Sequence, residues 1–235
     1  MEELYLSLIA EKKTENVISV SSKKKPEPRG SQQYFFLKRC VDITGALIGL
    51  VITSPIFIVI SMLYLVGENK GPVFFCQTRV GQNGRLFKIY KFRSMIVNAE
   101  VVLKNDKVLF EKYLKNNYKL EPEEDPRITT LGEFLRKTSL DELPQLINVL
   151  KGDMSLVGPR PVIQEELKEY GNRLEDFLAV KPGVTGYWQI CGRSNVGYPE
   201  RADLEFYYID HKGIKMDVTI FVKTLLLVIS RKGAY

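Results

Sequence analysis

Histidine and cysteine are scarce in this chain. Its 235 residues include one histidine, His211, and three cysteines, Cys40, Cys76 and Cys191. An odd number of widely separated cysteines gives neither zinc spacing nor a disulfide framework, which fits a reducing compartment. His211 lies in a lysine-rich turn region with nothing nearby to make it a base or ligand, and reads as a surface residue. A third absence is of charge. From Ile43 to Val66 no charged side chain occurs. This run starts too late, and lacks the small-residue pattern, for a cleavable leader.

What is present is a modest excess of base: 34 Lys and Arg against 28 Asp and Glu, a formal charge of +6. Such a surplus suits nucleic acid, an anionic membrane surface or phosphate-bearing substrates. The apolar run favours the last two, and no nucleic acid partner is expected. The length fits one domain with room for a tail or an anchor. Residues 1–33 read as that tail: Glu2 to Lys13 suits a short amphipathic helix, and the segment from Ser21 to Gly30 a flexible linker. As a helix at ~1.5 Å per residue, the Ile43–Val66 run is ~36 Å long, enough for a ~30 Å hydrocarbon layer. Ser54-Pro55 lies at its middle, where proline removes a backbone donor and favours a kink. Lys38 and Arg39 precede the run, and Lys70, Arg79 and Arg85 follow it, so both flanks prefer the cytoplasmic side. A straight span with a tolerated proline and a bent, re-entrant helix both remain open on this pattern.

The stretches Gly71 to Gly81 and Leu86 to Met95 hold two runs rich in aromatic and β-branched residues, joined through Gly81 and Asn83-Gly84, and predict a β-hairpin. The glycines lack the helix start and Lys-Ser/Thr ending of a phosphate loop. Residues 96–120 predict one helix, 121–126 a break, and Ile128 to Lys137 a short helix capped by Thr129 or Thr130. Ser139-Leu140-Asp141-Glu142 then fits a capping box ahead of Leu143, Leu146 and Ile147, with Asp141 as an alternative cap given Pro144. In either register both carboxylates sit in a first helical turn, which favours their ionised form. An ionised aspartate there is suited to attack phosphorus, and two carboxylates with phosphate oxygens are suited to Mg²⁺. Capping alone is the competing reading. Downstream, Gly158-Pro159-Arg160-Pro161 stiffens the backbone around a guanidinium, whose fork fits phosphate. The stretch Lys181-Pro182-Gly183 to Trp188-Gln189 and Arg193 supplies turns, another arginine, and a tryptophan that suits the core or a stacking platform. Ala202 to Tyr208 and Met216 to Ile229 read as helices whose apolar faces suit a lipid headgroup region or a core.

These motifs, in this order, carry a resemblance. Lys38-Arg39, Asp42, Ser54-Pro55, Gly71-Pro72-Val73-Phe74-Phe75, Tyr90 to Met95, Asp125 to Thr129, Ser139 to Gln145, Gly158 to Pro161, Lys181-Pro182-Gly183, Trp188-Gln189 and Gly233-Ala234-Tyr235 are similar to the monotopic polyprenyl-phosphate phosphoglycosyl transferases. These are the bacterial sugar transferases that begin lipid-linked glycan assembly. Cys191 departs from the small polar residue usual in that family. The resemblance covers about Tyr34 to Tyr235 and looks like the short, catalytic-domain-only form. It implies an α+β catalytic domain (71–235) on the cytoplasmic face of the inner membrane. A re-entrant helix (34–70), broken at Ser54-Pro55 and flanked by Lys38 and Arg39, would anchor it, with interfacial amphipathic helices. It also implies transfer of a sugar-1-phosphate from a UDP-sugar to polyprenyl phosphate, with UMP released. Asp141 would be the nucleophile, Glu142 its neighbour, and Mg²⁺ would sit at the pair. Arg136, Arg160 and Arg193, with Pro159 in the stiff turn, are the expected phosphate-binding set. Membrane lipid and downstream glycosyltransferases are the further expected partners. A direct glycosyltransferase and an inactive scaffold are the rival classes.

Overall fold

The computed structural model describes residues 31–115, 120, 124–192 and 196–230. The tail to residue 30, Arg193 and the Gly233-Ala234-Tyr235 end lie outside the described residues. Helix α1 runs from Gln32 to Leu63. Ser31 caps it, its Oγ accepting from the backbone N–H of Tyr34 at 3.1 Å, which satisfies one of the orphan donors of a helix start. The break expected at Ser54-Pro55 does not occur, and the helix is continuous through it. Proline has no N–H, so the Val51 carbonyl loses its helical donor. The Ser54 hydroxyl donates to that carbonyl at 2.8 Å instead. Gly45 and Gly49, four residues apart, let α1 approach the body closely: a Cβ on either would lie 2.7 and 2.9 Å from Leu156 and Leu146 respectively.

The expected hairpin forms, with β1 (Phe74–Val80) antiparallel to β2 (Leu86–Phe92). Asn83 and Gly84 both take left-handed backbone in its loop (φ 57° and 75°), as an Asn-Gly turn allows. The single helix expected over 96–120 is instead two, α2 (Ala99–Asn105) and α3 (Lys107–Lys115). Asp106 divides them: its backbone is extended, and its carboxylate accepts from the Leu109 N–H at 3.0 Å. Aspartate competes better as a cap than within a helix. Helix α4 (Thr130–Lys137) is capped by Thr129 as expected. It starts two residues late because Ile128 is held in a bridge to Met95. A Cβ on Gly132 would lie 1.8 Å from the Ser94 carbonyl oxygen, so only glycine lets α4 sit directly on that backbone.

Helix α5 (Gln145–Lys151) ends at Gly152, whose left-handed backbone (φ 84°) suits glycine. Arg39 donates to the carbonyls of Val149 and Leu150 at 2.6 and 2.9 Å, a cation at a helix C-terminus. A short parallel pair follows, β3 (Ser155–Val157) with β4 (Gly183–Thr185). Between them lie a 3-10 segment (Gln164–Arg173) and α6 (Leu174–Leu178). Helices α7 (Tyr187–Cys191), α8 (Glu200–His211) and α9 (Ile214–Ser230) complete the described elements. The fold is thus mixed helix and sheet.

Helix α1 belongs to the core. Ala46 joins the main cluster with Val149, Met154, Val157, Tyr208 and Ile220. Ile60 forms a second cluster with Phe92 and Leu135, completed by Tyr64 just beyond the helix. Asp42, 4% exposed, accepts from the Ser155 hydroxyl and the Leu156 N–H at 2.9 and 2.8 Å. Lys38 pairs with Asp217 of α9 at 2.8 Å. The opposite face of α1 is bare: Val51 and Ile52 are 72% and 70% exposed. Length and composition make α1 sufficient to cross a membrane. Of the residues assigned to a lipid face or the core near the C-terminus, Phe221, Leu225 and Leu226 are exposed, whereas Tyr208 is buried. His211 is exposed and the three cysteines are unpaired, as expected; all three are also exposed.

One side chain fixes the hairpin to α5. Asn148, fully buried, accepts from the Tyr90 N–H at 3.0 Å and donates to the Lys88 carbonyl at 2.7 Å, extending the edge of β2. Asn148→Leu keeps the volume but strands both backbone groups. It is expected to lower stability by about 2–4 kcal/mol, measured by thermal or chemical denaturation in detergent. A change below about 0.5 kcal/mol would show the pairing to be dispensable.

Candidate active site

After α4, Ser139 turns the chain in left-handed backbone (φ 57°), and residues Leu140–Glu142 form one 3-10 turn. Neither capping reading holds. Ser139 makes no side-chain cap, α5 starts only after Pro144, and the acidic pair precedes that helix rather than lying in its first turn. Proline has no N–H to donate, so α5 starts beyond it. Leu140 and Leu143 pack on the second core cluster. That packing pins the turn.

Asp141 is 8% exposed. Lys91 of β2 reaches across, with its Nζ 2.7 Å from Glu142 and 3.9 Å from Asp141. Burial pushes the Asp141 carboxyl up to about 6, although Lys91 pulls the other way. Burial also acts to raise Glu142, but the Lys91 charge and hydrogen bond prevail and hold it below the usual range. The two adjacent carboxylates therefore differ in proton affinity. Arg136 is aimed by the Ser94 hydroxyl, to which its Nε donates at 2.9 Å. Burial lowers its pKa, opposed by the charge of Asp141. Asp141 and Glu142 fit a Mg²⁺ ion in donor chemistry: two carboxylates with phosphate and water oxygens are a common set. Among the described residues no third Asp, Glu, His or Cys joins them.

The Pro-Arg-Pro turn hangs on β3 and β4. A Cβ on Gly183 would lie 2.1 Å from the Gly158 nitrogen, and Gly183 N–H donates to the Pro159 carbonyl at 2.8 Å. Pro159 is buried and shapes the turn. The Arg160 N–H donates to Glu205 of α8 at 3.1 Å, and its side-chain charge acts on Glu142. The Arg160 and Arg201 guanidiniums lie 5.5 and 4.7 Å from the Trp188 ring centre. Trp188, 6% exposed, is a core residue under those arginines, which leaves it no open face as a platform.

Asp141, Glu142, Arg136 and Arg160 are thus brought together, whereas Lys38, Arg39, Ser54 and Pro55 serve α1. Sequence reasoning missed Lys91 and Glu205. Strand alternation puts Lys91 on the face of buried Phe87 and Ile89, and a lysine at an inward position was its signal. Nothing in the local pattern marks Glu205.

Glu205 is 1% exposed and also accepts from the Tyr170 hydroxyl. Burial pushes its pKa from 4.5 up to about 7, against the hydrogen bonds from Tyr170 and Arg160. A carboxyl raised in the folded state contributes stability fully below pH 4.5 and loses it as pH rises through 7. Between pH 5 and 8 the wild-type melting temperature should therefore fall relative to Glu205→Gln. The two differ by up to a few kcal/mol; parallel profiles would show that Glu205 does not titrate there.

A sequence profile described as bacterial sugar transferase matches residues 33–231. The undecaprenyl-phosphate galactose phosphotransferase of Salmonella typhimurium is 46% identical over 204 residues, covering 85% of this chain and 42% of that protein. The galactosyl transferase CpsE of Streptococcus agalactiae serotype III is 46% identical over 202 residues, covering 86% and 44%. The exopolysaccharide production protein ExoY of Sinorhizobium fredii is 39% identical over 202 residues, covering 84% and 88%. The chain spans less than half the length of the first two relatives and most of the third. On this profile match and these identities, the chain belongs to the bacterial sugar transferase family.

Proposed function

We propose that this protein transfers a sugar-1-phosphate from a UDP-sugar to polyprenyl (undecaprenyl) phosphate at the cytoplasmic face of the inner membrane, as the first membrane step of glycan assembly. The observation that carries the reading is a buried Asp141 carboxylate flanked by Glu142, Lys91, Arg136 and Arg160, beside an apolar recess. In the first step an Asp141 oxygen attacks the β-phosphorus of the donor. The bond from that phosphorus to the bridging oxygen breaks, its electron pair stays with UMP, and a phosphosugar-aspartate acyl phosphate forms. In the second, an oxygen of polyprenyl phosphate attacks the same phosphorus and the Asp141 carboxylate departs. The basic side chains stabilise charge on the phosphoryl oxygens in both steps. Asp141 and Glu142 would hold Mg²⁺, which neutralises phosphate charge when bound.

The recess, about 270 Å³, lies between Pro55, Val59 and Leu63 of the α1 segment and Leu131, Phe134 and Leu140 of the catalytic body. It adjoins the turn that holds Asp141, and its apolar walls suit the first isoprenes of the acceptor. Re-entrant insertion of α1 is supported by its two ends. Lys38 is tied to Asp217, and the Tyr64 hydroxyl donates to the Arg93 carbonyl. A helix docked at both ends on one folded body keeps both ends on the same side of a bilayer. Membrane lipid would then meet the bare face of α1 and the exposed apolar residues of α9. The donor is read as a UDP-hexose, glucose or galactose, rather than an N-acetylated sugar, because Trp188-Gln189 resembles the hexose-using relatives. Two of the relatives above are named for galactose. Arg193 as a further phosphate contact and downstream glycosyltransferases as partners complete the proposal.

Purified protein in nanodiscs, supplied with polyprenyl phosphate, Mg²⁺ and a panel of UDP-sugars, is expected to release UMP with UDP-glucose or UDP-galactose. Asp141→Asn should lower that rate by about 10³-fold or more. Without acceptor, intact mass should show a sugar phosphate on the wild type and not on the variant. UDP in place of UMP would mean direct glycosyl transfer, and no product with any donor would favour a scaffold.

A further inference from the structure

Within electrostatic reach of Glu142 lies a further basic residue, Arg79, that the steps above leave unassigned. At the end of β1 the Val80 N–H donates to the Val162 carbonyl at 2.9 Å, in an isolated antiparallel bridge. This joins the hairpin to the Pro-Arg-Pro turn and brings Arg79 beside Arg160. The Arg79 Nη1 makes a long 3.3 Å bond to the Pro161 carbonyl, and Nη2 donates to the neutral Gln77 side chain at 2.7 Å. Its Nε is buried with no partner. Among the described residues neither Arg79 nor Arg160 makes an ion pair. Glu142 and Glu166 attract Arg79 from further away, and Glu166 has a buried Oε2 that is itself unpartnered. Burial and the like charge of Arg160 push the Arg79 guanidinium down to about 10.

Two guanidinium charges near enough to repel each other favour an anion shared between them. Each fork suits two oxygens of a phosphate. We propose that Arg79 and Arg160 form one anion site that holds the nucleotide phosphate of the donor and retains it as the monophosphate leaves, an inference that rests on the transfer reading above. When the bond from the β-phosphorus breaks, its bridging oxygen becomes a terminal oxygen of UMP and takes the electron pair. Negative charge therefore grows on this phosphate, and a pre-positioned pair of cations stabilises it more than the starting diester.

The test is calorimetric binding of UMP and of uridine to the full chain in nanodiscs. Wild type is expected to bind UMP more tightly than uridine. Arg79→Gln and Arg160→Gln should each weaken UMP by about 10- to 100-fold and leave uridine unchanged. The double variant should lose less than the two losses multiplied, since both side chains serve one phosphate. Melting temperatures measured alongside separate affinity from folding. If Arg79→Gln does not fold, Arg79→Lys carries the test, and a several-fold loss is expected of it. Wild-type UMP affinity in a folded Arg79 variant would overturn the proposal, as would a wild type that binds UMP no better than uridine. If such a protein still releases UMP in turnover, the transfer reading survives without the anion site. Arg79-dependent UMP binding in a protein that transfers nothing would support the site and sink the transfer reading.

Discussion

The two hydrogen bonds of Asn148 hold the candidate active site in register. They bind β2 to α5 by backbone groups on one side and a side chain on the other. Lys91 is one residue beyond Tyr90 on β2, and the acidic turn lies just ahead of α5. The distance from Lys91 to Glu142 and Asp141 is therefore set by an amide that has no room to move. An asparagine suits the task because it offers a donor and an acceptor together. The hydrophobic contacts around it supply most of the stability, but they are non-directional and do not fix which lysine meets which carboxylate.

Within that register the site depends on a balance of burial and charge. Desolvation raises Asp141, and Lys91 keeps it from rising further. Glu142 lies closer to the same ammonium and stays ionised. One lysine thus gives two neighbouring carboxylates different characters. The Pro-Arg-Pro turn is fixed by a different device, the close approach of Gly158 and Gly183 backbones that no side chain could permit. Glu205 then ties the Arg160 backbone to α8 from behind. Positional precision here comes mainly from small residues and buried amides.

Much of this was legible in the sequence, for identifiable reasons. The charge-free run and the aromatic hairpin with its Asn-Gly turn are local patterns, and local patterns fixed them. The acidic pair was found, but its setting was misjudged. Ser139 and Asp141 each suit a cap, and only the left-handed turn at Ser139 and the position of Pro144 decide against both. The single helix expected over 96–120 failed at Asp106, where a side-chain cap outweighs continued periodicity. Lys91, Arg79 and Glu205 depend on contacts between residues far apart in the chain, which no local window contains.

Ala46 and Ile60 of α1, and Tyr64 just beyond it, are buried in the two core clusters, and Asp42 satisfies a backbone donor of β3. Such a helix is not a tether from which a catalytic unit hangs. On the proposed function it works as a depth gauge: its attachment to the core fixes how far Asp141 stands from any lipid surface the helix enters. A reactive phosphate at another depth would be out of reach, however well its chemistry matched. Selection among lipid-borne acceptors would then begin with altitude, before any contact with the head group is made.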